Sequence, residues 1–180
     1  MACTQTLSGI VRDCLNNMGG IIEVYIANAD DVASITFSGG GDDEIMGITM
    51  AASAKFHRYA LRRNSGALTS NFTVDAVNGI AFVTNDILMQ FSRMDTTKRV
   101  EVMALVQADT IAMVKDANGN VWMVGDSDHP LNLGDGSLGQ TGQASTDRNG
   151  YDVHLTNEQP HLPYLVYTGA GGVDLSTIVA

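Results

Sequence analysis

The chain has 180 residues, 44% of them hydrophobic, with ten Lys and Arg against 20 Asp and Glu, a net charge of −10. That length is about one domain and buries a core without disulfide staples, and the hydrophobic share excludes a disordered chain. The acidic balance excludes a grip on nucleic acid or on an anionic membrane, which need clustered Lys and Arg, while an acidic conduit past which DNA slides stays open.

The first residues, MACTQTLSGIVRDC, lack the basic and apolar regions of a secretory signal. No window approaches 18 uncharged apolar residues, so neither a leader nor membrane insertion is expected. Cys3 and Cys14 read as free thiols, with a disulfide between them as the alternative, and without a matched His or Cys pair they make a poor zinc site. GGIIEVYIAN (19–28) is dense in Ile, Val and Tyr and reads as a strand, with VASITF (32–37) as its hairpin partner. SGGGDDE (38–44) reads as an exposed loop, solvated by its carboxylates, whose functional alternative is a contact arm reaching another subunit. IMGITMA resumes strand character.

Alternation makes AKFHRYALRR (54–63) a two-sided strand. The next strand sets Thr69, Asn71, Thr73 and Asp75 on one face and Leu68, Phe72 and Val74 on the other. The glycosylation pattern at Asn71 is a coincidence within that strand. NGIAFVTNDILMQFSR (78–93) is a long strand. DTTKRVEVMALVQAD (95–109) is the one predicted helix, with Asp95 and Thr96 as candidate N-caps and Val100, Met103, Ala104 and Val106 as its apolar face. TIAMVKD and NVWMVG flank Asn118-Gly119, a pair suited to the left-handed backbone of a tight hairpin. Residues 126–150 form a long Gly-rich loop, and YDVHLTNEQ (151–159) turns Tyr151, Val153 and Leu155 one way. PHLPYLVYTGAGGVDLSTIVA closes the chain as a strand, a glycine hinge and an apolar tail. Eight to ten strands and one helix predict a mainly β fold, an antiparallel barrel or sandwich with one flanking helix.

Chemistry-bearing motifs fail on context. GDGSLG (134–139) matches GxGxxG, but no helix is predicted after it to receive a pyrophosphate. Asp126, Asp128 and His129 resemble part of a calcium loop, except that Pro130 takes a ligand position and no Glu closes it. His57, His129, His154 and His161 are scattered, and no GxSxG is present. Trp122, alone in a strand, reads as core. No catalytic residue, metal or cofactor is expected.

GGIIEVYIAN after a Cys-containing start, the amphipathic TTKRVEVMALVQAD, DANGNVWMVG, and NGYDVHLTNEQPHLPYLV, in that order, resemble the tail tube proteins of tailed bacteriophages, the kind met in phages of Bacteroidetes-type hosts. The resemblance covers nearly the whole chain; NGNVW and GYDVHLTNEQP are its more specific pieces. It implies a non-enzymatic virion protein over residues 1–180, with an N-terminal arm about 1–18 and a C-terminal tail about 169–180. Six copies would form a ring, and stacked rings a tube, assembled in the host bacterial cytoplasm. Implied partners are other copies, other phage tail proteins, and double-stranded DNA passing through without specific binding. The candidate assembly contacts are Gly40, Gly41, Asp42, Asp43 and Glu44 in the loop, and Val173, Leu175 and Ile178 in a floppy tail that orders on contact. Rival readings are another virion ring or decoration protein (a head–tail connector or capsid decoration), or a carbohydrate-binding β-sandwich with a cleft around Trp122.

Overall fold

The computed structural model describes residues 9–10, 12, 15–39 and 44–180. The chain is mainly β, with strands β1 (Ile21–Asn28), β2 (Val32–Phe37), β3 (Ile45–Met50), β4 (His57–Ala60), β5 (Gly66–Asp75) and β6 (Ile80–Ser92) before helix α1 (Thr96–Gln107). After it come β7 (Thr110–Asp116), β8 (Val121–Val124), β9 (Asn132–Leu133), β10 (Leu138–Gln140), β11 (Gly150–Gln159), β12 (Tyr164–Val166) and a short second helix, α2 (Leu175–Ile178).

The strands form two sheets. One has the order β2-β3-β12-β8-β7-β1-β4, and the other runs β10-β11-β6-β5 with β9 also pairing β11. Neither closes on itself, so the fold is not a barrel, and β12 pairs β3 in parallel rather than antiparallel. Nor is β2 the hairpin partner of β1: it pairs β3, while β1 lies between β7 and β4. In the sheet order β1 and β2 stand five strands apart, about 24 Å if laid flat. A single 3-10 turn, Ala29–Asp31, joins them and reaches at most about 14 Å. The seven-stranded sheet must therefore curl, which brings β2 round toward the end of β1; the Ala51 amide donates to the Asp31 carbonyl there.

Curling gives the central strands two buried faces. Val24, Ile26, Ala112, Val114 and Val124 point toward the five-stranded sheet, where Ile87, Met89, Val153 and Leu155 meet them. The alternate residues Tyr25, Ala27, Ile111, Met113, Val121 and Met123 line a second core inside the curl, with Ile45, Phe56 and Val166. Burial on both faces is why residues 24–27 of β1 and 111–114 of β7 read as unbroken apolar runs rather than alternating ones. Each such Val or Ile contributes about 1.5–3 kcal/mol.

The hairpin between β7 and β8 forms around Asn118 and Gly119, with Gly119 at φ +94. Its organiser is Asp116, whose carboxylate accepts from the amides of Asn118 and Asn120 and from Trp122 Nε1 at 3.1 Å. Burial pushes the Asp116 carboxyl up, but these donors outweigh it and hold it below the ordinary carboxylate range. Asn118 also ties down the segment ahead of β1, since its side chain accepts from the Met18 amide at 2.8 Å.

Helix α1 starts where Asp95 accepts from the Lys98 amide at 2.9 Å, the expected N-cap. Its buried face is not the predicted one. Leu105 enters the first core with Val102 beside it, while Val100, Met103 and Val106 face outward. The C-terminal tail is likewise ordered. Val173 is buried in the second core, and Leu175, Ile178 and Val179 pack against it. The Phe56 amide donates to the Ile178 carbonyl, and the Ala180 amide to Phe56. An apolar segment that finds an open curl to fill folds back instead of hanging free.

Candidate assembly surfaces

An edge strand exposes a row of unpaired amides and carbonyls, and proteins usually blunt it with Lys, Pro or brevity. β4, at one edge of the curled sheet, has four residues, carries Arg58 and is followed by Arg62 and Arg63. Glu23 on neighbouring β1 accepts from Arg58 and from the Tyr25 hydroxyl at 2.6 Å, with Lys115 Nζ at 3.7 Å. The Tyr25 hydroxyl bond leads in holding Glu23 below the ordinary carboxylate range. Burial, then the Glu23 carboxylate, pushes Tyr25 up to about 12. This edge is braced and charged.

β5, at the edge of the five-stranded sheet, is not guarded. It runs ten residues with no Lys, Arg, Glu or Pro, and its one charge is the terminal Asp75. It pairs β6 down to Asp75 opposite Ile80, whereas β11 reaches only Val83. The hairpin tip therefore stands beyond its neighbour, and its apolar side chains lie in solvent: Phe72 67% exposed, Val77 94%, with Val74 and Ile80 also exposed. The turn is nonetheless well made. Asp75 accepts from the amides of Val77 and Asn78 at 3.0 and 3.2 Å, and Asn78 Nδ2 adds a bond that, with them, holds the carboxyl below its ordinary range.

The outward face of this sheet is mostly polar. Register places Thr69, Asn71 and Thr73 of β5 with Thr84, Asp86 and Gln90 of β6 and Asp152, His154, Thr156 and Glu158 of β11, and sets Phe82, Leu88 and Leu138 among them. No Lys or Arg stands on these strands. The basic residues concentrate elsewhere: Lys55, Arg58, Arg62 and Arg63 around β4, and Arg93, Lys98 and Arg99 at the start of α1. Tyr59, on β4, hydrogen-bonds Glu101 of α1, so these two basic groups adjoin.

Inside the first core's margin, polar side chains close a chain of hydrogen bonds. Asn85 Nδ2 donates to Asn157 Oδ1 at 2.9 Å, and Asn157 Nδ2 donates to the His129 carbonyl at 2.8 Å and to Gln159 Oε1 at 3.0 Å. Gln159 Nε2 then donates to the His161 carbonyl at 2.7 Å. The chain fixes the 125–131 loop against β11.

Among the described residues, the histidines that meet carboxylates do so in two small clusters. His154 Nδ1 lies 3.0 Å from Asp86, but the nearby Ser137 hydroxyl bonds the His154 backbone rather than its ring, so no relay to a nucleophile forms. Asp126 lies 3.1 Å from His129 and 3.6 Å from His161. Among the described residues no group of three or more His, Cys, Asp and Glu side chains is placed to hold a metal ion. The GDGSLG run leads into β10, not a helix. Trp122 is half-buried and lines a 260 Å³ cleft with Met18, Ala67 and Leu68.

Of the predicted contacts, Gly40, Gly41, Asp42 and Asp43 lie outside the described residues, as do Cys3 and Cys14. Glu44 is half-buried where its carbonyl accepts from the Ser38 amide. Val173, Leu175 and Ile178 are seated within the protomer, so a contact through them requires the tail to leave its core. Sequence reasoning passed over the hairpin tip. The signal was there: Phe72, Val74, Val77 and Ile80 crowd a turn with no charged residue but Asp75.

Comparison with protein-family models, with curated proteins and with solved structures finds no match for this chain.

Proposed function

We propose that the chain is a structural subunit of a phage tail tube, assembling with copies of itself into stacked rings around a channel for DNA. The observation that carries this reading is the unguarded ten-residue β5 edge joined to a sheet whose strands bear no Lys or Arg and whose outward face meets one cation, Arg148, already paired with Asp152. Edge strands of that length and composition are pairing templates, and a closed ring of copies satisfies them. With the five-stranded sheets joined around the channel, their outward faces form its wall. Such a wall offers few cations to displace the counterions of DNA, its Arg148 being paired with Asp152, so the duplex passes without being held.

Size-exclusion chromatography with light scattering and negative-stain electron micrographs of the purified chain test the reading. Hollow tubes of ring-shaped cross-section support it. Isolated rings that do not stack favour a connector or decoration ring. A monomer at all concentrations refutes self-assembly.

A further inference from the structure

The hairpin tip and the outward stripe of α1 lie at opposite ends of the same strand. β6 begins at Ile80 in the tip and ends at Ser92, four residues before the helix. Thirteen extended residues separate the two by about 40 Å. Both are apolar and uncovered. The tip presents Phe72, Val74, Val77 and Ile80, and the helix presents Val100, Met103 and Val106 at spacings of three. A patch of several large apolar side chains on a turn marks a contact site more than a random exposure.

Their charges complement each other. Asp75 at the tip has no basic partner among the described residues, and Glu158 is exposed on the adjoining strand. Arg99 lies on the helix stripe, while Lys98 turns back to the Ser92 and Arg93 carbonyls. Lys98 is paired with Asp95 at 2.7 Å, but Arg99 enters none of the ion pairs among the described residues.

We infer that the β5–β6 hairpin tip of one copy seats on the exposed Val100–Met103–Val106 stripe of α1 in the next copy. The occupant is a second copy because one chain carries both halves of the contact, apolar against apolar and acidic against basic, at ends that cannot meet within one molecule. A symmetric tip-to-tip contact would bring each Asp75 against its own equivalent. The head-to-tail contact propagates from copy to copy and closes a ring or extends a fibre. This rests on the self-assembly proposed above and names its surfaces.

The test is site-directed cross-linking of the full chain with Cys3 and Cys14 replaced by serine. Val77→Cys and Met103→Cys are made in separate chains, mixed, and oxidised mildly. Covalent dimers in the mixture and not in either variant alone are expected, along with a ladder when both cysteines are in one chain. Val77→Asp and Arg99→Glu, both at exposed positions, should keep the wild-type melting temperature and raise the concentration for half-assembly at least tenfold. Cross-linking by Val77→Cys alone overturns the head-to-tail geometry. If the wild-type chain assembles but the mixture gives no cross-link, or Val77→Asp assembles as readily, the hairpin–helix contact is wrong while self-assembly stands. If the wild-type chain never assembles, both fall.

Discussion

Replacing Asn157 separates a hydrogen-bonded network from mere polar burial. The side chain is 7% exposed and makes three bonds: one received from Asn85, two donated to the His129 carbonyl and Gln159. Removing it strands Asn85 Nδ2, on a side chain with no exposure; the His129 carbonyl keeps the Asp126 amide at 3.3 Å, and Gln159 Oε1 keeps the Gly125 amide. An orphaned buried group costs about 1–3 kcal/mol. Asn157→Ala leaves space for a water that can accept from Asn85, so its loss belongs at the low end, about 1 kcal/mol. Asn157→Leu fills the space and shuts water out, so its loss belongs nearer the high end, about 3 kcal/mol. A chain of this size shifts by roughly 2–4 °C per kcal/mol. The measurement is urea unfolding followed by Trp122 fluorescence, with thermal melts alongside. Hydrophobic burial alone would rank leucine above alanine. If Asn157→Leu is as stable as the wild type, the network does not hold the 125–131 loop and the argument is refuted.

Three other outcomes follow from the same structure. A Cβ on Gly150 would sit 2.0 Å from the Phe91 carbonyl oxygen, a backbone atom that cannot step aside; Gly150→Ala should cost about 3 kcal/mol or more in a urea melt. Asp116 and Asp126 are held below the ordinary carboxylate range, so their bonds stabilise the fold above the unfolded value of about 4 and are lost as pH falls through the lower folded values. Asp116→Asn should therefore destabilise clearly at about pH 7 and little at about pH 2, as urea midpoints at both will show. Val173→Asp puts an unpaired carboxylate beside Phe56 and should lower protomer stability by about 3 kcal/mol or more. An unchanged melting temperature with altered assembly would instead place Val173 on the outside.

What the sequence revealed depended on whether a local pattern decided the outcome. The runs of β1 and β7, the Asn118-Gly119 turn and the Asp95 cap are local, and each formed where expected. Strand partners are not local. Nothing in residues 19–37 says that the sheet curls and sends β2 to β3 instead of β1. The face of α1 was misread because apolar side chains occur all round it, so spacing alone could not choose Leu105 over Val100 and Met103. Alternation in β5 sorted its faces correctly, since Leu68 packs on the first core. It could not show that Phe72 and Val74, on the same face, lie past the end of the partner layer. The tail read as loose because its receptor, the hollow of the curled sheet, is built from distant segments.

The parallel pairing of β12 with β3 has a consequence for how the molecule is made. Among the described residues, the β2–β3 ribbon joins the rest of its sheet through β12, with Ile45 opposite Val166, 121 positions later in the chain. At usual synthesis rates the ribosome needs on the order of 10 s to travel that distance. The β2–β3 ribbon must wait for those residues before it can dock, and such distant pairings make folding slow. A nascent chain therefore cannot offer a finished curled sheet to its neighbours until β12 has left the ribosome.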